Sequence, residues 1–173
     1  MTPANSAEYL KPASFARYLA VDVRPRSFGF VVVENKVVLD SGIRMCEQIR
    51  FGDCLGQRFD RILRTYSPSA VILRGTAGLK ANLKKREILT AIRQGAKQHG
   101  AGVVSVKPAT ISHYFRRYDA TTKYQVAEVV ATILPELAWK LPRKRRPWES
   151  EHYRMSIFDA AAVVIAHLEL KRP

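Results

Sequence analysis

An acidic residue stands at the end of an apolar run near the start of the chain. Residues 18–21 (YLAV) predict a buried strand, and Asp22 follows it directly. A buried carboxylate costs several kcal/mol unless a cation, a metal ion or hydrogen bonds compensate its charge. Asp22 is therefore either a ligand in a functional site or the partner of a nearby arginine.

A second acid occurs where the last apolar segment begins. Ser156 and Asp159 are three residues apart, which places them on one face of a helix. This pattern is typical of a helix N-terminus: serine is a common N-terminal cap, and the helix dipole favours an aspartate in the first turn. A role for the two residues in a functional site stays open beside this structural one.

Charge is the strongest signal in the composition. The 173 residues carry 29 Lys and Arg against 15 Asp and Glu, a net charge of +14. Such an excess favours a polyanionic partner, nucleic acid above all. The expected contacts are clustered bases with one aromatic residue: Lys80, Lys84, Lys85, Arg86, Arg116, Arg117, Lys140, Arg143, Lys144, Arg145, Arg146 and Trp148. Residues 140–146 contain no acid, which favours phosphate contact over a solvated surface of mixed charge.

The composition also bounds the class of protein. Residues 1–14 read as a flexible leader without a signal-peptide pattern, and residues 15–173 as a single domain. No apolar stretch reaches the roughly 18–20 residues of a membrane helix, so we expect no membrane partner. Cys46 and Cys54 show neither metal-type pairing nor a disulfide framework, which makes the cytoplasm the expected location.

The elements that must position these residues form an α/β pattern. Three hairpin-linked strands are predicted at 18–21, 28–34 and 37–39, with turns at 24–27 and 35–36. Helices at 53–66 and 79–99 then alternate with short apolar strands at 70–73 and 103–106. Helices at 109–115, from Thr121-Thr122 onward, and from Ser156 complete the chain. The order predicts one mixed five-stranded sheet, its first three strands antiparallel, with helices on both faces.

The layout resembles the ribonuclease H-like superfamily, and within it the RuvC-type Holliday-junction resolvases. Residues 22–30 (DVRPRSFGF) resemble that family's first motif, with Gly29 at the expected spacing. Residues 106–115 resemble its strand-to-helix segment, and 122–126 resemble the segment that carries a lysine near the active site, here Lys123. Residues 157–167 resemble its last helix.

The resemblance implies a nuclease site in which four carboxylates hold two divalent cations, usually Mg²⁺. Asp22 matches the first acid and Asp159 the fourth, so these two are the expected metal ligands, with Lys123 as a further catalytic group. Arg74 stands at the second acid position and Ser156 at the third. Glu149 and Glu151, shortly before Ser156, are the nearest candidates to replace a missing acid.

Arg74 suggests that an ion pair replaces the metal ions at this site. A guanidinium about 4 Å from a carboxylate attracts it by about 4 kcal/mol at an effective dielectric constant near 20. We therefore predict that Arg74 pairs with Asp22, with Asp159 joining them, in place of a metal site.

Three functions remain open at this stage. The first is a RuvC-like protein that binds branched or structured nucleic acid, DNA rather than RNA, with lost or weakened nuclease activity. The second is an active Mg²⁺-dependent, structure-selective endonuclease of the Holliday-junction resolvase type. The third is a non-catalytic scaffold or interaction subunit. The resemblance also implies a homodimer, because resolvases cut two strands symmetrically.

Overall fold

The structure of the chain is a computed structural model that describes residues 16–45, 51–75 and 83–170. Five strands form one mixed sheet: β1 (Arg17–Arg24), β2 (Ser27–Glu34), β3 (Val37–Met45), β4 (Ala70–Arg74) and β5 (Gly102–Val106). Their order across the sheet is β3-β2-β1-β4-β5. The first three strands are antiparallel, while β4 and β5 run parallel to β1, as the sequence predicted.

Helices cover both faces of this sheet. They are α1 (Phe51–Tyr66), α2 (Leu83–Gln98), α3 (Pro108–Arg116), α4 (Lys123–Ile133) and α5 (Met155–Leu170), with a 3₁₀ helix at Pro135–Lys140. Each predicted helix is present. The largest differences are that β1 and β3 extend well beyond their predicted ends.

Alternation along the strands divides the core into two layers. Leu19, Val21 and Val23 of β1 pack in the cluster formed with α1 and α2. Ala20 packs in the opposite cluster, which contains α5. Since side chains alternate between the faces of a strand, Asp22 lies on the α5 side.

Local sequence explains two of the turns. Asn35 and Lys36 adopt positive φ values of 52° and 65°, the conformation that a two-residue hairpin turn requires. Thr122 accepts a hydrogen bond from the Gln125 backbone N–H, and the Gln125 side chain in turn accepts one from the Thr122 backbone N–H, forming a capping box. The turn was predicted, and so was the start of a helix at Thr121-Thr122.

The structure also bears on what the composition predicted about the cysteines and about membrane helices. Cys54 is disulfide-bonded, which differs from the expectation drawn from the two cysteines. Within the described ranges, no helix is both long enough and apolar enough to span a membrane. The predicted leader, residues 1–14, lies outside these ranges.

Candidate functional site

Three carboxylates converge on one arginine at the end of β1. Arg24 donates from Nε to Asp22 Oδ2 at 2.9 Å, from Nη1 to Glu151 Oε2 at 3.0 Å and from Nη2 to Asp159 Oδ2 at 2.8 Å. These distances are those of charge-assisted hydrogen bonds. The guanidinium thus joins the sheet, the segment before α5 and the first turns of α5.

The strand pattern explains why Arg24 reaches the cluster. Asp22 and Arg24 are two residues apart on β1, so they share a face. On that face α5 lies unusually close to the sheet, because Gly29 of β2 pairs with Asp22 and has no side chain. A Cβ at Gly29 would come within 1.9 Å of Ser156 Oγ and within 2.5 Å of the Ser156 carbonyl carbon. The glycine therefore permits the contact that brings Asp159 to Asp22.

Lys123 adds a second cation to the cluster. It is the first residue of α4, held by the cap at Thr122. Its Nζ lies 3.1 Å from Glu151 Oε1 and 3.4 Å from Asp159 Oδ2. Lys123 is thus placed beside Asp159, where the resemblance implied a lysine. Three carboxylates and two cations give the cluster a formal charge of −1.

The two acids that come from outside the sheet have opposite pKa shifts. Burial raises the pKa of Asp159 above its usual range, and the negative charge of Asp22 raises it further. Lys123 and Arg24 oppose these effects without outweighing them, although both contact Asp159. Burial also acts to raise the pKa of Glu151, but Lys123 and Arg24 together lower it below its usual range. For Arg24, burial acts to lower the pKa, while Asp22, Glu151 and Asp159 raise it overall.

The predicted pair between Asp22 and Arg74 is not formed. Arg74 ends β4 on the strand beside β1, as predicted, but its side chain is exposed. It lines a cleft with Lys123 and Asp159, while Arg24 is the arginine that contacts Asp22. The sequence pattern predicts a turn at Arg24, but this residue is the last one of β1. Alternation within the strand puts Arg24 on the same face as Asp22, but it does not by itself make Arg24 the partner.

Ser156 contributes neither a cap nor an acid. The helix α5 begins at Met155, so Ser156 lies inside the first turn, and the N-cap interpretation is wrong. The residue is 1% exposed and packs against Gly29. Its Oγ has no hydrogen-bond partner within the described part of the chain. The third carboxylate comes instead from Glu151, one of the two replacements considered in the sequence analysis.

Basic side chains flank the cluster on two sides. One cleft is lined by Arg74, Arg116, Lys123 and Asp159. The neighbouring cleft is lined by Lys123, Arg143, Arg145 and Glu151. Lys123 lines both clefts, and each cleft also contains one acid of the cluster, so the two clefts meet there. The basic segment before α5 therefore lies beside Lys123 and Glu151.

The basic segment forms an ordered loop around Glu149. The carboxylate of Glu149 accepts hydrogen bonds from Arg143 Nη2 at 2.6 Å and from the Arg146 backbone N–H at 2.9 Å. Arg145 donates to the Glu149 carbonyl oxygen at 2.9 Å. Glu149 thus organises the loop and does not replace an acid in the cluster. Trp148 is 76% exposed on this loop, with the Arg146 guanidinium 5.7 Å from the centre of its ring.

The remaining predicted nucleic-acid contacts are placed differently. Lys85 and Arg86 lie in the first turn of α2, on the sheet face opposite α5. Arg117 is exposed beside the ring of Tyr114. Lys140 donates to the Ser41 carbonyl oxygen at 2.7 Å, so it ties the 3₁₀ helix to β3. Lys80 and the side chain of Lys84 are outside the described part of the structure.

The cluster does not fit the divalent cations that the resemblance implies. One nitrogen of Arg24 is directed at an oxygen of each acid, so the guanidinium lies where the three carboxylates converge. A dication there would be repelled by Arg24 and would compete for the same oxygens. No group of three His, Cys, Asp or Glu side chains in the described ranges is arranged to hold a metal ion.

Comparison of the structure with solved structures defines the class of fold. No family model matches the chain, and neither does any curated protein sequence. Thermus thermophilus RuvC bound to a Holliday junction substrate superposes with a TM-score of 0.67, at 19% identity, over 88% of this chain and 92% of that one. A second structure of Thermus thermophilus RuvC gives 0.66, also at 19% identity, over 88% and 93%.

A eukaryotic resolvase shares the same architecture. The yeast mitochondrial Holliday junction resolvase Ydc2 superposes with a TM-score of 0.62, at 12% identity, over 88% of this chain and 77% of that one. The fold is therefore ribonuclease H-like. Within that class it is RuvC-like, as the motifs predicted.

Proposed function

We propose that this protein binds nucleic acid, branched DNA in particular, and that its nuclease activity is lost or greatly weakened. The observation that carries the proposal is an acid cluster, largely neutralised by two cations, between two basic clefts. Arg24 and Lys123 occupy the oxygens of Asp22, Glu151 and Asp159. The basic side chains that line the two clefts are the groups that would bind the phosphates of a nucleic acid.

The shape of the fold supports a branched substrate. One RuvC structure with this architecture holds a Holliday junction substrate, and Ydc2 is named as a resolvase. In this chain the exposed loop with Lys144, Arg145 and Trp148 projects beside the cluster. Its cations suit the backbone, and an exposed indole ring can stack on an unpaired base.

An active, Mg²⁺-dependent endonuclease is the second candidate function. The observation that favours it is Glu151, which restores a third carboxylate beside Asp22 and Asp159. Cleavage would require Arg24 to leave those oxygens to a metal ion. In that case Lys123 would remain beside Asp159, where the resemblance places a catalytic lysine.

Binding and cleavage of a four-way junction distinguish these functions. We expect the full chain to shift a labelled junction at lower protein concentration than duplex or single-stranded DNA of the same sequence. We expect no cleavage products with Mg²⁺ or Mn²⁺. Equal, weak binding to all three DNAs would contradict the junction preference, and absence of binding would contradict a nucleic-acid partner altogether.

The cleavage arm has a matched control. Any cleavage by this chain must be lost in Asp22→Asn and retained in Asp119→Asn, which changes an exposed aspartate in a turn. Cleavage with that dependence would overturn the inactive interpretation and support the second candidate. The homodimer and the cytoplasmic location remain predictions.

A further inference from the structure

Arg24 binds the acid cluster in an unusual way for a surface arginine. Each of its three nitrogens contacts a different carboxylate, and the three acids come from separate segments of the chain. Its side chain is 26% exposed, and those of Asp22 and Asp159 are each 12% exposed. Arg24 therefore lies inside a partly dehydrated, oxygen-lined site and not in a solvated ion pair.

The chemistry of the site explains why a cation is needed there. Without Arg24, three carboxylates would face only Lys123, and the formal charge of the cluster would change from −1 to −2. Hard divalent cations prefer carboxylate oxygens of this kind. An arginine stays protonated at any physiological pH, so Arg24 offsets one of the negative charges permanently and needs no ion from solution.

We propose that Arg24 is a built-in cation that closes this acidic site to divalent metals. Removing its charge would free Asp22, Glu151 and Asp159 to rearrange around one Mn²⁺ or Mg²⁺. The proposal rests on the proposed function for its biological meaning, because it names the residue that keeps a nuclease-like site inactive. Lys123 does not close the site in the same way, since its side chain is 56% exposed and can turn toward solvent.

The number of carboxylates that Arg24 contacts distinguishes it from an arginine in an ordinary ion pair. Arg17, on the same strand, pairs with Glu34 at 2.7 Å and has a comparable exposure of 31%. That pair contains one carboxylate, whereas Arg24 holds three. Loss of Arg17 should therefore remove the same charge without creating a metal site.

Calorimetric titration of the full chain with Mn²⁺, in the absence of nucleic acid, tests the proposal. We expect no saturable binding by the wild type or by Arg17→Ala. We expect Arg24→Ala to bind one Mn²⁺ saturably, at least about tenfold more tightly than the detection limit at which the wild type shows no binding. The double variant Arg24→Ala/Asp159→Asn should lose that gain. Arg24→Gln removes the charge but keeps a polar side chain, and it provides the same test if the alanine variant does not fold.

Each result decides the proposal. Mn²⁺ binding by the wild type that Asp159→Asn abolishes would overturn it, because Arg24 would then not exclude metal. A folded Arg24 variant that gains no affinity would also overturn it. Failure of the protein to bind DNA would contradict the proposed function and leave the outcome of the Mn²⁺ titration unchanged, since no nucleic acid is present.

Discussion

Asp159 and Glu151 show how two acids in one cluster can differ in their effect on stability. Asp159 is the more buried of the two, and its pKa is raised by burial and by Asp22. Burial acts on Glu151 as well, but its contacts with Lys123 and Arg24 lower its pKa. At neutral pH the ionised form of Asp159 therefore destabilises the folded state, whereas the ionised form of Glu151 stabilises it.

The sign of these shifts gives a prediction for Asp159. A raised pKa in the folded state means that the folded chain binds the proton more tightly, so its stability falls as pH rises through that pKa. Asp159→Asn should raise the free energy of unfolding at pH 7. The gain should shrink as the pH is lowered through the raised pKa toward the usual value of about 4. Urea unfolding of both proteins across this pH range measures the effect.

Glu151→Gln is the matched comparison within the cluster. It should lower the free energy of unfolding at neutral pH. The loss should disappear only when the pH falls below the usual range for glutamate, because the pKa of Glu151 is lowered. If Asp159→Asn destabilised the chain as much as Glu151→Gln, the opposite roles assigned to the two acids would be wrong.

At the scale of elements, the site depends on how closely α5 approaches β2. Gly29 leaves room for Ser156, and the Ala-rich α5 is buried along most of its length. This packing holds Asp159 at the end of β1, beside Asp22. The glycine is therefore needed for close approach, whatever chemistry the site performs.

Gly29→Ala should accordingly destabilise the chain by about 1–3 kcal/mol, the usual cost of inserting atoms into a packed core. Adding Ser156→Ala should not restore stability, because a Cβ at Gly29 would also lie 2.5 Å from backbone atoms of Ser156. Thermal and urea unfolding measure both variants.

Gly56→Ala provides the control, since a Cβ there would lie 3.6 Å from Ala91, an ordinary contact within a helical pair. An alanine in the interior of α1 should stabilise the chain by about 0.5–1 kcal/mol. Full tolerance of Gly29→Ala would show that α5 does not approach the sheet as the structure has it.

For the whole molecule, the main electrostatic feature is a large positive charge around a compact acid cluster. The chain carries a net charge of +14, and the cluster's own acids are largely neutralised by Arg24 and Lys123. In the exposed loop Glu149 pairs with Arg143, which leaves Lys144, Arg145 and Arg146 as its remaining cations. If they contact phosphates, binding must weaken with salt as counterions are released.

Salt dependence tests whether that loop carries the contacts. Lys144→Ala/Arg145→Ala should weaken junction binding and reduce the slope of log affinity against log salt by about 2, or about 0.9 per phosphate contact. The control is Arg93→Ala/Lys97→Ala, which removes two exposed cations of α2 on the opposite face of the sheet. Equal changes in both double variants would show that binding follows the net charge and not the loop beside the cluster.

The sequence by itself determined the order of elements and the location of the site. Short-range patterns carry that information: alternation in the strands, apolar spacing in the helices, and the cap at Thr122. The resemblance to the RuvC-type resolvases assigned Asp22, Asp159 and Lys123 to one site, and in the structure Arg24 contacts both acids while Lys123 contacts Asp159.

Only the tertiary structure decided which residues complete the cluster. Arg74 and Arg24 are the last residues of two neighbouring parallel strands, so they lie at the same edge of the sheet. Local sequence does not show which of them is the partner of Asp22. The path of the segment before α5 brings Glu151 to Arg24, a contact between residues 127 positions apart. Such a contact depends on long-range packing, so the choice of Arg24 over Arg74 and of Glu151 over Ser156 could not be read from either residue's neighbours in the chain.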